Sequence, residues 1–509
     1  MATRHQIRTR VTIAAASDPR VKDLVAQLAG DPDARVRDLP DELLIAAYEQ
    51  MARIHHTGLD EALFERAMTE TAPVRFTTAR RTGLTDIMAL PEITQFLNED
   101  WCVERPARGP VPAYAEAKAL LCTLGLDRRG SHLTQAHQAL ATDATLRGLL
   151  LPGQAGIGSY SALVSQAQKV APACTPPAIA TNIALAKSLR ETYPQTGKRL
   201  LIDGTPIPAW CPQRGSSGNV ELEELYRAKT PEAGFRVYTQ TASGKVAPGP
   251  GGRVTRAWRG YSLVAITDQA TGIPLVWRLQ DASQDEARAL APLLAHLHEL
   301  WPDIDAEVIV GDSAWDEDWA CELCEVRYGI HPIFALHRAG TREHSLTRAE
   351  AGRGSVRGID PQGRLVCAAH GASLALTTVD QPSRAGLAPG EPTPAAKHRV
   401  RAECTHATPG APACGKVGLP MARDWSKLAY YPHHPEGAPS RYAYRLACSI
   451  RRNSAESLNA RLKVAHHIGT EGANRTRVTD VDTHLALLSL CLLSCTARTV
   501  AAARAVQTH

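Results

Sequence analysis

Two short apolar runs, each meeting an aspartate, constrain this chain more than any other feature. Arg199, Leu200, Leu201, Ile202, Asp203, Gly204, Thr205 and Pro206 read as a buried strand that stops at Asp-Gly. Residues 306–312, Ala-Glu-Val-Ile-Val-Gly-Asp, read as a second strand ending on Asp312. A strand end is where a buried scaffold can present a charged side chain at an open edge. Between the two acids, residues 261–267 form a strand, Asp268 to Gly272 a tight turn and residues 273–279 the returning strand. A helix over 283–300 follows, capped by Ser283 with Glu286 three positions on. Asp268 belongs to its turn and is not a site candidate. After Asp312 come a helix over 315–328 and a short strand over 331–336.

Strand-Asp, hairpin, helix, strand-Asp is the order of a ribonuclease-H-like core, an α/β fold with a mixed sheet flanked by helices. A third acid is then expected on a helix packed against the sheet. The predicted helix over 444–464 offers Glu456, with Arg452 four residues before it on the same face and Lys463 two turns beyond.

Arg452, three residues, Glu456, six residues and Lys463 resemble the R-(3)-E-(6)-K signature of bacterial insertion-sequence DDE transposases. Asp203 and Asp312 fit that family's first two acids in order and strand context. The hundred or so residues before Glu456 resemble its β-rich insertion. The family's tyrosine, three before the arginine, is Ser449 here, with Tyr444 a loose substitute. The resemblance covers about 198–463. It implies DNA strand cleavage and transfer at the ends of a mobile element, with terminal inverted repeats and target DNA as partners and a homodimer in the DNA complex. It also implies a cytoplasmic enzyme, on the nucleoid when active. Two readings stay open beside it: a non-catalytic DNA-binding or regulatory derivative, and a ribonuclease-H-like nuclease that cuts without joining.

The chemistry accounts for the residue types. In-line attack on a phosphodiester suits two Mg²⁺ ions about 3.5–4 Å apart. Mg²⁺, for which Mn²⁺ can substitute, takes hard oxygen ligands and keeps several waters, so three carboxylates suffice. Asp203 would bridge both ions while Asp312 and Glu456 each hold one.

Four regions follow: a helical front over 1–195, expected to bind DNA ends; the first part of the core over 196–340; a β/loop insertion over 341–440; and the end of the core over 441–509. In the front, helices are expected over 41–54, 60–71, 85–99, 113–124, 134–150 and 160–170, with Asp41 and Asp60 as caps.

The composition, 44% hydrophobic and 21% charged, excludes wholesale disorder. A net charge of +5 names no partner, and the 46 arginines against 11 lysines fit both phosphate binding and a GC-rich coding bias. Location says more. Residues 441–480, with Arg441, Arg445, Arg451, Arg452, Arg461, Lys463, Arg475 and Arg477 against three acids, hold an excess equal to that of the whole chain. Residues 245–260, with Arg253, Arg256, Arg259 and Trp258, read either as a flexible phosphate-gripping loop or as a solvated one. Trp315, Trp319 and Trp425 are aromatic candidates for a flipped base, core packing being the plainer reading.

Twelve cysteines without a secretory leader point to a reducing compartment; the apolar stretch 11–16 is too short for a leader core. Residues 485–503 carry Ser489, Ser494, Thr496, Arg498 and Thr499 and read as a buried helix rather than a membrane span. Cys367-x₂-His370 with Cys404 and Cys414 supplies four ligands of the type a structural zinc takes. Cys321-x₂-Cys324 on a predicted helix reads as packing.

Overall fold

Pro91 and Asp143 set the grain of the front of the chain, each dividing a long helical stretch in two. In the computed structural model the chain is a mixed α/β protein of two units, Met1–Pro73 with Glu307–Ser454 and Val74–Ala306 with Ala455–His509. The structure describes residues 19–40, 61–74, 82–99, 114–127, 132–209, 233–240, 246–248, 253–334, 344–345, 356–359, 365–371, 375–380, 398–404, 415–421, 439–452 and 480–507, with some isolated positions besides. In chain order its helices are α1 (Pro19–Ala29), α2 (Glu61–Glu70), α3 (Leu84–Met88), α4 (Pro91–Asn98), α5 (Tyr114–Gly125), α6 (Leu133–Thr142), α7 (Ala144–Leu150), α8 (Tyr160–Val170), α9 (Thr175–Thr192), α10 (Leu290–Leu300), α11 (Asp318–Glu322), α12 (Pro439–Ile450) and α13 (Val481–Gln507). Its strands are β1 (Arg199–Pro208), β2 (Gly234–Gln240), β3 (Val246–Pro248), β4 (Arg253–Asp268), β5 (Pro274–Asp281), β6 (Val308–Gly311), β7 (His331–Phe334), β8 (His344–Ser345), β9 (Val356–Ile359), β10 (Leu365–Cys367), β11 (Ala375–Asp380), β12 (His398–Cys404) and β13 (Gly415–Met421).

In the unit containing β1, the single helices expected over 85–99 and 134–150 are each two. Pro91 holds Leu90 extended and opens α4 at its first position, where its missing N–H costs nothing. Asp143 ends α6 and caps α7, accepting the Leu146 N–H at 3.0 Å. Helix α9 has no counterpart in the sequence reading; Pro176 and Pro177 look like breakers but sit in its first turn. Asn182 of α9, fully buried, donates from Nδ2 to the carbonyls of Pro274 (2.6 Å) and Leu275 (3.1 Å), which ties the helix to β5.

The apolar run near the C-terminus is the buried helix expected of it. Residues Val481–Val506 are long and apolar enough to cross a membrane, yet 94% of that window is buried inside the protein. Its polar side chains find partners there. Ser489 Oγ accepts from Trp277 Nε1 at 2.9 Å, and Arg498 binds Ser494 Oγ and the carbonyls of Thr82 and Leu126. A Cβ on Gly125 would collide with Leu490 Cβ, so this glycine lets α5 approach α13.

Strand β4 organises the sheet of this unit. Its first half pairs antiparallel with β2, and its second half pairs with β1 on one side and β5 on the other; β3 lies beyond β2. Three expectations are corrected here. Strand β1 does not stop at Asp-Gly but runs on to Pro208, opposite Gly260. The stretch read as a loop is largely strand, because Arg253 to Gly260 pair with Gln240 to Gly234 of β2. The helix after the hairpin begins later than expected. Ser283 gives its N–H and hydroxyl to Asp281 Oδ1 (both 2.6 Å), and Asp285 caps a 3-10 turn, Glu286–Ala289, ahead of α10.

In the other unit, β6 and β7 run parallel, Gly311 opposite Phe334. Helix α2 packs on α12 through Phe64, Ala67 and Met68 against Ala447 and Ile450. Residues Val11, Val25, Val36, Leu39, Leu44 and Ala47 form a separate apolar cluster. The segment after β7 holds two three-stranded antiparallel sheets, ordered β10-β9-β8 and β11-β12-β13.

Candidate active site

Asp203 is the fifth residue of β1, opposite Ala265 of β4. Its side chain is half-buried while Leu200, Leu201 and Ile202 before it are buried. Aspartate is a poor strand former, so β propensity does not account for its place in mid-strand. The Asp-Gly pair makes no turn because Gly204 has another task. A Cβ on Gly204 would stand 2.7 Å from Glu286 Cδ, so the glutamate carboxyl occupies the space over this residue. Glu286 Oε1 accepts from Arg236 Nη1 at 2.7 Å and from Ser262 Oγ at 3.0 Å. Both members of the ion pair are about four-fifths buried. Successive strand residues face opposite sides, so this brace lies on the face of the sheet opposite the Asp203 side chain.

Glu286 and Arg236 escape a reading of the sequence. The one signal pointing to them is a glycine inside an apolar strand, which can mark a close approach.

Asp312 follows β6 directly, as expected, and its Oδ1 accepts the Ala314 N–H at 2.8 Å, capping the 3-10 turn Ser313–Trp315. Among the described residues Oδ2 takes no hydrogen bond. The predicted helix over 315–328 is a short α11 followed by a π-helical turn, Leu323–Arg327. Trp315 is buried at 1% exposure, whereas Trp319 is 42% exposed. Trp425 lies outside the described residues.

Glu456, Lys463 and Arg461 also lie outside the described residues. Leu458 and Leu462 beside them are helical and buried. The helix expected over 444–464 is interrupted: α12 ends at Ile450, and Arg451 and Arg452 form a turn. Arg452 N donates to Ser449 O at 3.2 Å, and Arg451 Nη2 to Met68 O at 3.3 Å. Whether Arg452 shares a helical face with Glu456 falls outside the described residues. Arg445 lies within α12; its side chain is outside the described residues. On β4, Arg253, Arg256, Trp258 and Arg259 stand opposite Gln240, Tyr238, Arg236 and Phe235.

Asp268 is the turn residue it was read to be. It accepts from Gly197 N, Thr271 N and Thr271 Oγ1, and Gly272 closes the turn at φ 67°. Burial pushes its carboxyl above the usual range against the pull of those donors and of Arg199. Burial likewise holds the Cys324 thiol well above its ordinary value, which suits packing rather than reactivity.

Cys367 Sγ lies 3.4 Å from His370 Nδ1. Cys404 is the last residue of β12, opposite Gly415; its side chain and all of Cys414 are outside the described residues. Among the described residues no group of three or more metal-ligating side chains is present.

No family model matches the chain, and no curated protein matches it. Among solved structures the chain is similar to one titled as a piggyBac transposase synaptic complex with hairpin DNA. The two share 11% identity over 90% of this chain and 77% of that one, with a TM-score of 0.29. At that score the likeness carries no argument about fold or activity.

Proposed function

We propose that this chain is a DNA transposase of the DDE type that cuts and rejoins DNA at the ends of its mobile element in the bacterial cytoplasm. The observation that carries the reading is the half-buried carboxylate of Asp203 in mid-strand, a position where a fold alone would favour a β-branched residue. Asp312, at the exit of a second buried strand with one oxygen uncommitted among the described residues, is the second acid. Glu456, in the spacing with Arg452 and Lys463, is the third.

The donors proposed are carboxylates, the hard oxygen ligands a divalent cation such as Mg²⁺ takes, and Asp203 and Asp312 are half-buried, within reach of water. Mg²⁺ or Mn²⁺ held by Asp203, Asp312 and Glu456 would supply activation of the attacking oxygen and charge neutralisation at the phosphodiester. Lys463 would neutralise substrate charge beside that centre. Arg451, Arg452, Arg445 and Arg461 are the phosphate contacts proposed for the C-terminal segment; Arg253, Arg256 and Arg259, with Trp258, are proposed for β4. The working form on DNA is proposed to be a homodimer.

The test uses the purified full chain and duplexes carrying the element's ends. Mg²⁺-dependent nicking followed by joining to a second duplex is expected. Asp203→Asn, Asp312→Asn and Glu456→Gln should each abolish both steps while end binding survives. Full activity in any of them sinks the assignment. Binding without nicking in the unaltered chain would favour a regulatory derivative, and nicking without joining a nuclease.

A further inference from the structure

We infer that Cys367 and His370 are two ligands of one structural zinc ion, a site independent of the DNA chemistry proposed above. The residues between them form a tight turn. Gly371 N donates to Cys367 O at 2.9 Å, and Gly371 adopts φ 62°, a left-handed conformation that only glycine takes without strain. That closure turns both ligand atoms to the same side, 3.4 Å apart, and leaves Ala368 and Ala369 exposed on the other.

The 3.4 Å separation is close to what a shared zinc would set. With Zn–S near 2.3 Å, Zn–N about 2.0–2.1 Å and tetrahedral angles of about 109°, the sulfur and nitrogen of a Cys–His pair lie about 3.5–3.6 Å apart. The backbone is shaped for it as well. The β9–β10 ladder shifts register between Val366 and Cys367, a bulge that re-aims the cysteine as it enters the turn.

Burial separates this role from the other use of a Cys–His pair. A nucleophilic thiolate needs access to substrate, and Cys367 is 0% exposed. The two three-stranded sheets of the insertion are small, and small sheets are stapled by metals where a hydrophobic core is thin. Thiolate and imidazole favour Zn²⁺ over Mg²⁺ or Ca²⁺, which take oxygen ligands.

The experiment is metal analysis of the purified full chain after extensive dialysis against metal-free buffer. About one zinc per chain is expected. Cys367→Ser and His370→Ala should each drop it to background, whereas Cys324→Ser, at a packed cysteine on the π-helical turn, should keep it. His370→Cys, which substitutes one zinc ligand for another, should retain the metal that His370→Ala loses; a bare thiol–imidazole hydrogen bond would give no such rescue. Should the variants misfold, cobalt exchange into the unaltered chain reads the site directly, through the intense visible bands of a tetrahedral thiolate-bound ion. Wild-type chain that stays at background after zinc addition, cobalt spectra with only weak octahedral bands, or undiminished zinc in His370→Ala would each overturn the inference.

Discussion

Glu286 holds its carboxyl group over Gly204, in the space a side chain at that position would need. The contact fixes β1 from one face, immediately beside Asp203, whose side chain lies on the other. It also explains why an Asp-Gly pair can stand in mid-strand: glycine is there for the glutamate, and the turn residues of this region are Asp268 to Gly272.

Removing either side of that contact should therefore cost stability. Glu286→Ala leaves the Arg236 guanidinium, about four-fifths buried, without its carboxylate and Ser262 without its acceptor. A loss of about 1–3 kcal/mol is expected, below that of a fully buried pair because solvent still reaches both groups. Gly204→Ala should lose a comparable amount by pushing Glu286 off Arg236. Denaturant unfolding measures both. A midpoint unchanged in Glu286→Ala would show that the pair is idle.

Asp203 invites the opposite experiment. In mid-strand, opposite Ala265, a β-branched residue suits the backbone better than aspartate does. Asp203→Val should keep a cooperatively folded chain while reducing metal-dependent DNA cleavage at least a thousandfold. Loss of fold and activity together would mean that the carboxylate serves the structure.

The contrast between these residues shows what could be read in advance. Strand periodicity and turn chemistry are local, so β1, β5, β6, the Asp268 turn and the apolar α13 were legible in the sequence. Helix α9 was not, because Pro176 and Pro177 break helices except in the first turn, and a window of sequence does not say where a helix begins. Strand β2 and the first half of β4 were missed for a different reason. Each half of that ladder stabilises the other, and the glycines and prolines around them imitate a loop. Of the candidate site, the two aspartates could be found because charge in an apolar run is conspicuous. Glu286 could not, since its helix-cap spacing from Ser283 offered a sufficient local explanation that Asp281 and Asp285 in fact supply.

His484, at the start of α13, sets a pH dependence. It is 3% exposed, packs its ring 5.6 Å from that of Tyr261, and donates from Nδ1 to Asp480 O. Burial lowers its pKa below the usual histidine value, against the pull of Asp480. Below about pH 6.5 the unfolded chain binds a proton that the folded chain refuses, so this contribution to stability is present above that pH and lost as pH falls. The half-buried His298, whose pKa burial also lowers, adds a smaller loss of the same sign. His484→Phe keeps the aromatic contact and removes the titration. Its unfolding free energy should fall less steeply than the wild type's between pH 7 and 5, by up to about 1.4 kcal/mol per pH unit. Parallel curves would refute the assignment.

Asn182 offers a test in which two substitutions should rank by chemistry and the gap between them should narrow as pH falls. Its Nδ2 group serves the carbonyls of Pro274 and Leu275 from a fully buried position. Asn182→Ala leaves both carbonyls short of a donor, at a cost of about 1–3 kcal/mol. Asn182→Asp is nearly isosteric but sets a carboxylate oxygen against two carbonyl oxygens, so at neutral pH it should be the more destabilising of the two. Burial and the facing acceptors would raise the pKa of the new carboxyl, and its protonated form can donate to one carbonyl. A raised folded-state pKa gives stability that is present at low pH and lost as pH rises. The aspartate variant should therefore gain on the alanine variant as pH falls from 7 to 5, measured by thermal unfolding of both in the same buffers. A constant difference between them would show that water, rather than the side chain, satisfies those carbonyls.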